Sequence, residues 1–70
     1  PNPISSGSVT ITSSVNCNTA QLFDAAGKLI RVFQLKGKTN TLQLAGIAKG
    51  VYQLQIVTVN DVQTEKMIIQ

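Results

Sequence analysis

The sequence has no histidine, no tryptophan, a single cysteine, two prolines and only three carboxylate side chains in 70 residues. Each shortage narrows the functional range. Without histidine there is no Ser-His or Cys-His nucleophile system. The lone Cys17 permits no intramolecular disulfide and no cysteine-based metal site. It reads as a buried small residue at a strand start, free cysteine being among the most buried residue types, with a reactive thiol as the lesser alternative. Asp24, Asp61 and Glu65 sit at or near turns or strand ends. A hard-cation site needs several converging oxygens, so no metal and no cofactor is expected.

Charge and aromatics are also sparse. The net charge of +3 comes from Lys28, Arg31, Lys36, Lys38, Lys49 and Lys66, only loosely clustered at 28–38. Nucleic-acid binding calls for a dense basic stripe with stacking aromatics. Phe23, Phe33 and Tyr52 are the only aromatics, and their positions suit packing. No apolar run approaches the roughly 20 residues of a membrane helix, so direct membrane insertion is not expected. Gly27, Gly46 and Gly50 form no phosphate loop, because no helical pattern follows them.

The sequence does contain strand periodicity. Valine, isoleucine and threonine abound, and no window sustains a helical repeat. The alternation predicts six strands, at 8–13, 19–24, 28–36, 40–45, 51–59 and 62–69, in one small antiparallel immunoglobulin-like β-sandwich, an all-β fold of about six to seven strands. Seventy residues allow one domain of thin stability.

Two hairpins set the expected registers. Asp24-Ala25-Ala26-Gly27 fits a type I turn closed by a left-handed glycine. It pairs Leu22 with Ile30 and Ala20 with Val32 on the core side, leaving Phe23, Leu29, Gln21 and Arg31 outside. Asn60-Asp61 reads as a two-residue loop. It sets Val59 against Val62, Leu54 against Met67 and Tyr52 against Ile69. The expected core is Val9, Ile11, Leu22, Ile30, Val32, Leu42, Leu44, Ile47, Tyr52, Leu54, Ile56, Met67 and Ile69. The opposite face of the last hairpin is mixed, several valines around Lys66, and too apolar for an ordinary solvated face.

Four motifs stand in order along this pattern: Pro1-Asn2-Pro3, Leu22-Phe23-Asp24 with Gly27-Lys28, Ile47-Ala48-Lys49-Gly50-Val51-Tyr52, and Glu65-Lys66-Met67-Ile68-Ile69. Together they resemble the C-terminal sorting domain, type A, of proteins exported by the type IX secretion system of Bacteroidota. Phe23 stands where that family usually has tyrosine, and Ile47 where it has leucine.

The resemblance implies a non-enzymatic secretion signal spanning residues 1–70, a fragment of a larger secreted protein. It implies passage through the periplasm to the outer-membrane surface or beyond. The implied partners are the outer-membrane translocon, its shuttle components and a sortase-like cysteine protease. That protease would cut upstream of Pro1, after which the cargo is attached to the surface or released. Pro1, Asn2, Pro3, Asp24, Gly27, Gly50, Tyr52 and Lys66 are the motif or recognition candidates.

Each also has a plainer role. Asp24, Gly27 and Gly50 are turn formers, Tyr52 a core aromatic with its hydroxyl at an edge, and Lys66 a solvated edge-strand lysine. An open edge strand also invites self-association. The alternative function is an immunoglobulin-like structural or carbohydrate-binding module appended to a secreted enzyme. That role normally requires a planar array of exposed aromatics, which only Phe23 could begin to supply.

Overall fold

The computed structural model of the chain describes residues 7–70; the Pro1-Asn2-Pro3 motif lies outside them. Six strands form: β1 (Ser8–Thr12), β2 (Cys17–Asp24), β3 (Leu29–Gln34), β4 (Thr39–Gln43), β5 (Gly50–Thr58) and β6 (Val62–Ile69). No helix occurs among the described residues. All pairings are antiparallel, in a β1-β4 ribbon and a four-stranded sheet ordered β3-β2-β5-β6. The fold is the expected small all-β sandwich.

One cluster of buried side chains joins the two layers. Val9, Leu42 and Leu44 come from the ribbon side. Cys17, Ala20, Leu22, Tyr52, Leu54, Ile56, Met67 and Ile69 come from the sheet. Ile11, Phe33, Leu35 and Ile47 pack around it. Leu22, Leu42 and Leu54 are the largest fully enclosed side chains. Alternation along β5 places Tyr52, Leu54 and Ile56 inward, while Val51 and Gln53 are exposed and Gln55 is half-buried. Cys17 is buried at the first position of β2, as expected.

The β2–β3 register differs from the expectation. The turn forms as read: the Gly27 N–H donates to the Asp24 carbonyl at 3.0 Å, and Gly27 has φ +86°. Beyond it a bulge intervenes, so Phe23 faces Leu29 but Leu22 faces Arg31, and Ile30 is the extra residue. One extra residue exchanges the faces of everything after it. Ile30 and Val32 are therefore not core residues but 39% and 46% exposed. Phe33 takes the inward position opposite Ala20.

Arg31, expected on the outside, turns inward and spans the layers. Its Nη1 donates to the Gln43 carbonyl at 2.9 Å and the Ala45 carbonyl at 3.2 Å. These are charge-assisted bonds to the strand end of the ribbon.

The β5–β6 register is also displaced, by two residues. Val57 faces Val62, Tyr52 faces Met67, and Gly50 faces Ile69. A two-residue hairpin of the expected type needs positive φ at both loop positions. No non-glycine described residue has one.

The turn is instead a four-residue loop closed by Thr58. The Thr58 N–H donates to the Asp61 carbonyl at 2.9 Å, and the Thr58 hydroxyl donates to Asp61 Oδ1 at 2.9 Å. The same hydroxyl accepts from the N–H groups of Asn60 and Asp61 at 3.1 and 3.0 Å. A side-chain hydroxyl bonding nearby backbone is a standard turn device. Because the displacement is even, the face assignment survives: Tyr52, Leu54, Ile56, Met67 and Ile69 all point into the core.

These registers predict opposite outcomes for two truncations. Leu54→Ala, at a site 1% exposed, should lower unfolding free energy by about 2–5 kcal/mol. Val32→Ala should change it by less than about 0.5–1 kcal/mol, as an exposed substitution. Urea denaturation of both variants checks this; a large loss at Val32 would restore the register expected from the turn alone.

Candidate functional site

The motif residues are separated in sequence by up to 42 positions, from Asp24 to Lys66, yet the central ladders bring them to one end of the four-stranded sheet. Asp24 lies opposite Tyr52 across the β2–β5 ladder, and Phe23 lies opposite Gln53. Gln53 in turn faces Lys66 across β5–β6. The result is a shallow depression of about 350 Å³ lined by Asp24, Ala25, Gly27, Val51, Tyr52, Gln53 and Lys66.

Asp24 organises the turn that forms one wall. Its Oδ1 accepts from the Ala26 and Lys28 N–H groups, both at 2.9 Å. The Asp24 N–H closes the strand end by donating to the Lys28 carbonyl at 2.9 Å. One carboxylate oxygen thus satisfies two amides of the tip, a turn chemistry specific to short acceptor side chains. Gly27 supplies the left-handed residue, where a Cβ would meet no atom within 4 Å. Its requirement is purely conformational.

The third motif is built around Tyr52. Its ring is buried, 6% exposed, and its hydroxyl donates to the Ala48 carbonyl at 2.6 Å. Gly50 (φ +155°) lies within the four residues that this bond closes. Gly46 (φ +85°) serves the preceding turn, where the Ile47 N–H donates to the Leu44 carbonyl at 3.1 Å. Ile47 packs against the core at this end, as expected. Tyr52 therefore has both of its expected features, a core ring and a hydroxyl at the edge.

Lys66 is exposed and points away from the core, next to Met67, which points into it. Sequence reasoning placed it on the correct face, and Gln53 is its cross-strand neighbour. It did not foresee Arg31 as the bridge between the layers, or Thr58 as the turn former. A threonine three residues before an aspartate was the available signal for Thr58. The arginine inside a strand bounded by Leu29 and Gln34 carried no comparable signal.

A second cleft, of about 220 Å³, opens between β1 and β6, with Val9, Ile11, Cys17, Leu54, Ile56 and Met67 at its base and Glu65 at its rim. No group of three potential metal-ligating side chains gathers among the described residues. Nothing in either depression pairs a nucleophile with a base.

Asp24→Ala should cost about 1–3 kcal/mol by leaving two turn amides without their acceptor. Asp24→Asn, which retains an acceptor oxygen, should cost less. Thermal melts of the three proteins check this, and equal losses for both variants would mean that charge rather than acceptor geometry matters.

A family model described as a secretion system C-terminal sorting domain matches residues 1–70. No curated protein and no solved structure matches the chain.

Proposed function

The chain belongs to the type IX secretion C-terminal sorting domains, and from that membership we propose that it acts as the export label of a larger cargo protein. The family is that of a sorting signal, which implies contact with the type IX machinery and delivery to the outer-membrane surface or the extracellular space. The proposal is more specific. The cargo crosses the periplasm with this folded sandwich at its C-terminus, and the outer-membrane translocon and shuttle components read the sandwich. A sortase-like cysteine protease then removes it by cutting upstream of Pro1, and the cargo is anchored or released.

The observation that supports a folded signal is the convergence of three separate motifs on one end of the sheet. Asp24, Gly27, Gly50 and Tyr52 shape that end, and Lys66 is an exposed motif side chain beside it. In this reading the domain is not an enzyme. The carbohydrate-module alternative has little support: Tyr52 is buried, Phe33 faces the core, and Phe23 stands alone on the outer side.

A passenger carrying an upstream signal peptide and this chain at its C-terminus is expected at the surface of a type IX-competent cell. Removal of residues 65–70, which takes Met67 and Ile69 out of the core, is expected to leave it in the periplasm. Cell fractionation and surface protease accessibility measure the outcome. Full export of the shortened protein would sink the sorting reading.

A further inference from the structure

The two layers differ in width, a two-stranded ribbon over a four-stranded sheet. β6 is the outermost strand of its sheet, and its inward positions Gln63 and Glu65 are exposed although Met67 on the same side is buried. The ribbon therefore stops short of β6. The β1–β6 cleft lies where a third ribbon strand would run, with Ile11, Ile56 and Met67 at its base.

The hydrogen bonds fix which backbone groups border that gap. The Leu44 N–H donates to the Gly7 carbonyl at 2.8 Å, and the Ser13 N–H donates to the Lys38 carbonyl at 2.7 Å. Bonded and non-bonded pairs alternate along an antiparallel ladder. In the continuous β1–β4 register the bonded pairs are then Val9–Leu42 and Ile11–Asn40, while Thr10–Thr41 and Thr12–Thr39 are non-bonded. The N–H and C=O groups of Thr10 and Thr12 consequently point away from β4, to the side where no described strand pairs with β1. The far edge of the ribbon is different, because Arg31 reaches it and holds the Gln43 carbonyl.

We propose that β1 accepts one further strand along this edge, an extended segment of a component of the export machinery in which apolar side chains alternate with hydroxyl-bearing ones. The choice of partner rests on the sorting reading. The unpaired amides and carbonyls of a strand edge are matched by extended backbone, whose main-chain bonds supply affinity while alternate side chains select. Here one set of those side chains would stand over Ile56 and Met67. The other set would lie beside the exposed Thr10 and Thr12, where cross-strand threonine pairs are favourable.

Size and shape select a single segment over a second copy. The five residues of β1 offer an edge about 17 Å long and one strand wide, whereas a stable interface uses about 800 Å² per partner. Two copies joined β1 to β1 would also bring their projecting β6 strands into the same space.

The test has two arms and a matched pair of variants. Proline removes an N–H and is tolerated where that N–H faces away from the ladder. Thr10→Pro blocks the cleft-side edge, and Thr41→Pro, directly opposite, blocks the far edge. Both lose the same contact between the Thr10 and Thr41 hydroxyls. Gln63→Trp fills the cleft from β6 and leaves β1 unaltered. Melting curves of all three are recorded first, and Gln63→Trp carries the test if a proline variant fails to fold.

The first arm adds a synthetic peptide of alternating valine and threonine, with lysine at each end, to the full chain. Hydrogen exchange at the Thr10 and Thr12 amides, fast in the free chain, should slow about tenfold or more. Thr10→Pro and Gln63→Trp should weaken binding about tenfold, and Thr41→Pro should leave it unchanged. The second arm measures surface delivery of the passenger fusion, which should fall for Thr10→Pro and Gln63→Trp and hold for Thr41→Pro.

Thr10 and Thr12 amides already protected in the free chain would mean that the chain itself or a second copy occupies the edge, and the proposal is wrong. Protection confined to β3 or β6, or equal losses for the two proline variants, would also overturn it. Export of the unmodified fusion with undiminished export of Thr10→Pro and Gln63→Trp would overturn the partner and leave the sorting reading intact. Failure of the unmodified fusion would overturn the sorting reading and the choice of partner with it.

Discussion

The antiparallel ladder between β2 and β5 is the constraint on which the rest depends. It joins Cys17 to Thr58 and Asp24 to Tyr52, residues 41 and 28 positions apart. Closing loops of that length costs entropy before any contact compensates for it. The compensation is local to the ladder, where Ala20, Leu22, Leu54 and Ile56 are all buried against the ribbon. The two hairpins place β3 and β6 on either side of this central pair. In a domain this small there is little other buried area to stabilise the chain.

The same ladder explains why the motif residues form a group. Asp24 ends β2 and shapes its turn, and Tyr52 lies opposite, held by its bond to the Ala48 carbonyl. These residues shape the end of the sheet through turn and edge hydrogen bonds. Lys66 is exposed on the outer side of β6 and lines the depression at the same end of the sheet.

Much of this was legible beforehand. Period-two alternation located all six strands, because a strand with one buried face must alternate. The Asp24 to Gly27 turn was legible because aspartate and glycine at those positions have few other uses. The core faces of β5 and β6 were assigned correctly even though their register was displaced, since a shift of two preserves the side. The bulge at Ile30 was not legible: no glycine or proline marks it, and both faces of β3 are apolar enough to be core. Ile30 and Val32 were therefore expected in the core and Arg31 outside it, while Leu29 stands on the outer side as expected.

The sequence by itself determined the all-β class, the strand count, the turn at Asp24 and the core role of Tyr52, because each follows from local periodicity or from the φ preferences and hydrogen-bonding reach of single residues. Only the tertiary structure decided which residues of β3 face water, that Arg31 links the layers, and that Thr58 closes the last hairpin. Those outcomes turn on which carbonyls and amides of distant strands come within hydrogen-bonding distance. That is a property of the assembled sheets, and no local window of the chain contains it.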